Sequence, residues 1–140
     1  MAVNVQPQPG RPHEAASRYA VVAQAEAYLR AHIDAVVPVA ELGRFVGLSE
    51  RGIRNAFYDV HAMSPKRWML VERLREARRE LREGDIKPTT VTSVATHYGF
   101  YELGRFAGTY KRVFGEAPSE TLRKTRRTRH ASGKLRSAVQ

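Results

Sequence analysis

Apolar positions in this chain recur every three or four residues in short runs, and single glycines, prolines and capping hydroxyls punctuate them. That period predicts an all-α fold. Residues 1–16, with Pro7, Pro9, Gly10 and Pro12 and little apolar periodicity, read as a flexible leader. Ser17 is placed to cap a first helix to about His32, with Tyr19, Val22, Ala23, Tyr28 and Leu29 as its apolar contacts. A helix over Val39–Val46 follows, then a glycine turn, then Ser49 as the cap of a helix to about His61 that buries Ile53, Phe57 and Val60. Ser64-Pro65 restarts the chain in a long helix to about Glu83, turning Trp68, Val71, Leu74 and Leu81 inward, with Gly84 placed to end it. After a loop at 85–89, Thr90 caps a helix through Tyr98, and Glu102–Phe114 form another, buried through Phe106, Tyr110 and Val113. A short helix after Pro118 closes the fold near Leu122, and residues 125–140 read as a disordered basic tail.

Part of this pattern occurs twice. Gly47, Leu48 and Ser49 align with Gly99, Phe100 and Tyr101; Phe57, Ala62 and Pro65 align with Tyr110, Gly115 and Pro118 after one extra residue in the second copy. Upstream, Val39 and Leu42 pair with Val91 and Val94, and small Gly43 pairs with small Ala95. A helix, a tight turn and a second amphipathic helix make a helix-turn-helix, and a bulky residue one turn before the glycine would push the crossing helices apart. The helix between the copies would be roughly 28 Å long, a natural spacer.

Charge narrows the partner. With 24 Lys+Arg against 14 Asp+Glu in 140 residues, the net charge of +10 attracts polyanions. No apolar stretch approaches the roughly 20 residues of a spanning helix, so no membrane partner is expected. The chain has no cysteine, which removes disulfides and thiolate chemistry and suits a cytoplasmic protein. His13, His32, His61, His97 and His130 lack metal-ligand spacing, and no phosphate-cradling loop or nucleophile motif is present. Neither an enzyme nor a bound cofactor is expected.

Gly47-Leu48-Ser49, Ser64-Pro65, the run Arg73-Leu74-Arg75-Glu76-Ala77-Arg78-Arg79-Glu80-Leu81, Gly99-Phe100 and Phe114-Gly115-Glu116-Ala117-Pro118-Ser119 resemble the DNA-binding domain of the AraC/XylS transcription regulators. The resemblance implies a domain over 17–124 with about seven helices: helix-turn-helix units at about 39–61 and 90–114, joined by a central helix at about 65–83. It further implies monomeric binding to adjacent major-groove segments of double-stranded DNA, by a bacterial, nucleoid-associated protein. Most members carry a separate effector domain. The chain is therefore expected to be a stand-alone regulator or a fragment of a larger one.

With Ile53, Phe57 and Val60 inward, the family's base-reading positions fall on Arg51, Gly52, Arg54 and Asn55. Arginine can give two hydrogen bonds to guanine, and asparagine two to adenine. The second helix offers Leu103, Gly104, Arg105, Ala107 and Gly108 instead. Two interior glycines cost about 1 kcal/mol each against alanine, so this smooth face calls for an explanation. Either the backbone lies deep in the groove, with Arg105 as the main reader and Leu103 or Ala107 on thymine methyls, or this unit grips backbone and reads little. Phosphate candidates at the helix rims and starts are Arg44, Ser49, Lys66, Arg67, Lys111, Arg112 and Arg123. Arg73, Arg75, Arg78 and Arg79 are weaker candidates, since Glu72 and Glu76 stand three residues before Arg75 and Arg79. The expected function is a sequence-specific DNA-binding transcription regulator, with two rivals: a coat of DNA without sequence preference, and a protein-interaction module docking on RNA polymerase.

Overall fold

A glycine in the left-handed conformation ends each of two short helices and sets where the next one begins. In the computed structural model, which describes residues 12–83 and 89–138, the order is α1 (Pro12–Ala31), α2 (Val39–Val46), α3 (Glu50–His61), α4 (Pro65–Glu83), α5 (Val91–His97), α6 (Leu103–Phe114) and α7 (Pro118–Ala138). No strand occurs among the described residues. The described residues form two compact units: one comprises 12–32 together with Val37–Trp68, the other Ile33–Val36, 69–83 and 89–138.

In the first unit Val22, Ala25 and Leu29 of α1, Leu42 of α2, Ile53, Ala56 and Phe57 of α3, and Trp68 are all buried, and α1 packs against both α2 and α3. The packed stripe of α1 differs from the expected one. Ala25 is sealed while Tyr19 is 61% exposed, and Ala23, about 100° further around the helix than Val22, faces outward. The helix also starts at Pro12, so Ser17 lies inside it rather than at its cap. The rest of the proposed leader, residues 1–11, lies outside the described residues. Polar ties reinforce the apolar core: Glu26 bonds His61, Arg18 bonds Asp59, and the Tyr28 hydroxyl donates to Glu41, which raises the Tyr28 pKa. Phe57 meets Trp68 edge to face, and the Arg30 guanidinium lies 5.2 Å from the Trp68 ring.

The second unit is built on α4. Its Leu74, Ala77 and Leu81, spaced by three and four, pack with Val94, Ala95, Tyr98, Phe106, Tyr110 and Leu122. Phe100, Phe106, Tyr110 and Phe114 form a chain of rings with successive centroids 4.9, 5.7 and 4.7 Å apart. A polar seam joins α6 to α7: the Tyr110 hydroxyl donates to Thr121 Oγ1 at 2.8 Å, and Thr121 donates to Glu116 at 2.7 Å. Lys124 and then Thr121 hold the Glu116 carboxyl below the usual range. Two expected core positions are looser than predicted, because Val113 is 37% exposed at the edge of α6 and Val71 is half-buried on α4. Val60, on α3 of the first unit, is likewise half-buried.

The C-terminal end departs most from the sequence reading. Instead of a short helix and an irregular tail, α7 continues from Pro118 to Ala138. No proline follows Pro118, and arginine, lysine and alanine are good helix formers. Long-range bonds hold it as well: Arg126 donates to the Thr89 carbonyl at 2.9 Å, and Arg129 to the Glu83 carbonyl. Gly84, the expected terminator of α4, and loop residues 85–88 lie outside the described residues.

The two turns repeat bond for bond. Gly47 has φ 78° and Gly99 has φ 82°, values that carry a steric penalty for any residue with a Cβ. Leu48 N–H donates to the Gly43 carbonyl and Phe100 N–H to the Ala95 carbonyl, both at 2.8 Å. Gly47 and Gly99 N–H groups donate to Arg44 and Thr96 at 3.4 and 3.0 Å. This pair of bonds is the Schellman motif, which satisfies carbonyls left over at a helix end. The alignment also holds downstream, where Ala62 (φ 55°) and Gly115 (φ 78°) are both left-handed after α3 and α6.

Gly43 explains the small residue before the turn. A Cβ there would lie 2.6 Å from the Leu48 carbonyl oxygen, so the obstacle is the turn's own backbone. Ala95 in the second copy is fully buried, and its turn has room for a methyl group. Gly43→Ala should therefore destabilise the first unit by about 1–3 kcal/mol, the usual range for overpacking. Urea unfolding followed by far-UV circular dichroism measures this; an unchanged midpoint would contradict the close approach.

Candidate nucleic-acid interface

Each turn presents the start of a second helix, α3 or α6. At α3 the Ser49 oxygen accepts the Gly52 N–H at 3.0 Å, satisfying one of the free donors of the first turn. Ile53, Ala56 and Phe57 are buried behind it. Arg51, Arg54, Asn55 and Tyr58 are exposed, and their spacing of three, four and seven from Arg51 puts them on one face. Arg54 pairs with Glu50 at 3.4 Å, with both side chains about half exposed. Such a pair is weak and leaves the guanidinium free to exchange partners. Gly52 is half-buried, and a Cβ on it would come 3.2 Å from the Ser49 oxygen and 3.4 Å from Leu48. It serves the cap more than the outer face.

Tyr58 belongs to the same exposed face, at 57% exposure, yet lies beyond the positions the family pattern supplied. Its spacing of seven from Arg51 was the signal for it.

Aligning the starts of α3 and α6 sets Leu103 at the place of Glu50, Gly104 at Arg51, Arg105 at Gly52, Ala107 at Arg54 and Gly108 at Asn55. The long polar side chain has thus moved one position around the helix. Arg105 is open to solvent, with 80% of its side chain exposed and a 3.4 Å contact to Glu102, the N-cap residue of α6. Leu103 is 40% exposed, whereas Ala107 turns toward the half-buried side. A Cβ built on Gly104 or Gly108 would meet nothing within 4 Å. Packing within the chain therefore does not require either glycine.

All seven phosphate candidates are exposed. Arg44, Ser49, Lys66 and Arg67 lie in the first unit; Lys111, Arg112 and Arg123 lie in the second. The Arg67 N–H is held by the Ser64 oxygen at 3.1 Å, which confirms that serine as the cap of α4, and Arg112 donates to Thr109 at 3.2 Å. The central-helix arginines have work inside the protein. Arg75 pairs with Glu72 at 3.0 Å and Arg79 bonds Glu76 through two nitrogens, as their spacing predicts. Arg73 donates to the carbonyls of Ile33 and Ala35, and Arg78 lies 4.6 Å from the Phe114 ring centroid. Neither contact was legible in the sequence, because both partners are far away along the chain.

Among the described residues no group of three or more His, Cys, Asp or Glu side chains is placed to hold a metal ion, and no helix is long and apolar enough to cross a membrane.

A family model described as a helix-turn-helix domain matches residues 42–124. The chain is 39% identical over 103 residues to the probable thc operon regulatory protein of Rhodococcus erythropolis, covering 74% of this chain and 31% of that protein. It is 32% identical over 91 residues to the XylDLEGF operon transcriptional activator of Pseudomonas putida, covering 65% of this chain and 28% of that one. The crystal structure of a probable AraC family transcriptional regulator from Rhodopseudomonas palustris superimposes with a TM-score of 0.70 at 39% identity, over 76% of this chain and 97% of the other. The chain thus spans about a third of the length of these curated relatives, 31% and 28%.

The open glycine face makes a stability prediction. Gly108→Ala should raise unfolding free energy by about 0.5–1 kcal/mol, because it adds helix propensity without a clash. A urea midpoint below that of the wild type would show that the face is not free within the protein.

Proposed function

The chain belongs to the AraC/XylS family of helix-turn-helix transcription regulators, and on that footing we propose that it recognises specific sequences in double-stranded DNA through α3 and α6. The observation that carries this reading is the exposed polar face of α3, with Arg51, Arg54 and Asn55 opposite a buried Ile53, Ala56 and Phe57. A helix that shows its arginines and asparagine to solvent behind a fixed turn suits the major groove, where each good two-bond pair contributes about 1–3 kcal/mol of discrimination.

In this reading α3 and α6 enter adjacent major-groove segments. Arg54, Arg51 and Asn55 read bases in one half of the site. Arg105 is the main reader in the other, where the glycine face of α6 lets the helix backbone approach closely and Leu103 and Ala107 meet thymine methyls. Arg44, Ser49, Lys66, Arg67, Lys111, Arg112 and Arg123 hold phosphates at the rims. The DNA-binding unit acts as a monomer. By likeness to the operon activator of Pseudomonas putida, the outcome of binding is activation, with RNA polymerase as a second partner. A protein of this kind works beside the bacterial chromosome, in the cytoplasm.

Competition binding on duplexes enriched from a random library tests the division of labour. Arg54→Ala should relax preference in one half of the site and Arg105→Ala in the other, by about 1–3 kcal/mol at the affected base. A uniform loss of affinity in both halves would assign the two arginines to phosphates.

Binding should also depend steeply on salt. Neutralising about 6–10 phosphates lowers affinity roughly 10³- to 10⁵-fold between 50 and 200 mM salt. Equal affinity for enriched and random duplexes at physiological salt would leave a coat without sequence preference as the better reading.

A further inference from the structure

Beyond Glu120 the sequence has no acidic residue, and the structure makes that stretch, as far as Ala138, a helix with two distinct faces. One face is occupied. Thr121 and Leu122 are buried, Thr125 is half-buried, and Arg126 and Arg129 donate to the Thr89 and Glu83 carbonyls. These bonds fix the rotation of α7 within the second unit.

The opposite face carries Arg123, Arg127, His130 and Lys134, at intervals of four, three and four. At about 100° per residue, the four side chains fall within an arc of roughly 60°. All four are exposed, and none has a hydrogen bond or ion pair among the described residues. Lys124, a quarter-turn away, is by contrast bonded to Glu116. Arg123 and Arg127, like charges four residues apart, repel one another and weaken the helix that carries them, so helix stability does not account for their placement.

We propose that this row on α7 is a further DNA-contact surface, one that lies along a run of phosphates of the bound duplex. The inference rests on the DNA-binding reading above. From Arg123 to Lys134 the row is about 16 Å long. The charges of one DNA strand recur every 3.4 Å or so along the axis, so the row spans about five phosphates. It has no planar amide or acid that would select a base, and its contribution is independent of sequence. An anionic membrane surface shares the charge but offers no regular row of phosphates, and the face lacks the apolar side chains that seat a helix in lipid.

The test uses the full chain with Arg127→Gln and Lys134→Gln together; both positions are exposed, and circular dichroism checks that helix content is kept. Affinity is measured against salt for an enriched duplex and a random one. The slope of log affinity against log salt should fall by about two, at roughly 0.9 per phosphate contact, with the ratio between the two duplexes unchanged. An unchanged slope would overturn the inference while leaving DNA binding by the wild type intact. So would loss of binding to phosphatidylserine vesicles with no change on DNA. A wild-type chain with no affinity for any duplex would overturn the DNA-binding reading itself.

Discussion

The left-handed glycine turn is the constraint on which the second helix of each helix-turn-helix, α3 or α6, depends. At Gly47 and again at Gly99, the backbone reverses through a conformation that costs a residue with a Cβ about 1–2 kcal/mol, and the next N–H closes onto the carbonyl four residues before the glycine. Once that bond forms, the direction of the following helix is no longer free. The side chain of the residue just after each glycine, Leu48 or Phe100, is then brought back toward its own unit. Phe100 packs against the core of the second unit and meets Phe106 at 4.9 Å. Leu48 remains 37% exposed, while Gly43 beneath it leaves no room for a methyl group. The same hydrogen bonds are therefore supported by aromatic packing in one unit and by close backbone approach in the other.

A common scaffold does not give the two units a common chemistry. With the helix starts aligned, Arg51 and Asn55 of α3 are replaced by Gly104 and Gly108, and the arginine of α6 stands where α3 has Gly52. On α3 that glycine sits beneath the Ser49 cap. On α6 the N-cap is Glu102, whose side chain makes no capping bond and instead lies 3.4 Å from Arg105. Moving the polar group one position and stripping the adjacent positions to glycine leaves α6 with fewer long side chains and a more accessible helix backbone. Duplication of the turn is thus a stronger inference than equal sharing of base recognition.

Periodicity and capping chemistry made most of the helices legible. Ser49, Ser64 and Thr90 cap α3, α4 and α5 as their positions suggested, and α2 spans Val39–Val46 as its apolar pattern requires. What the sequence concealed involves partners distant along the chain. By charge, residues 125–140 read as a disordered tail, yet Arg126 and Arg129 find carbonyls 37 and 46 residues away, and the helix continues to Ala138. Arg73 and Arg78 resembled surface charge until Ile33, Ala35 and Phe114 supplied their partners. Fine phase was a second source of error: Ala25 is sealed where Ala23 was expected, and Val113 lies at an open edge. For the candidate site, exposure at Arg51, Arg54, Asn55 and Arg105 followed from the buried stripe, whereas the half-buried setting of Ala107 did not.

Selection of duplexes from a random library by the wild-type chain tests the central claim most directly. The account predicts a site in two separated parts: one of several strongly fixed positions read by Arg51, Arg54 and Asn55, and one dominated by a single guanine contacted by Arg105. A flat profile, or one continuous element with no second part, would contradict it.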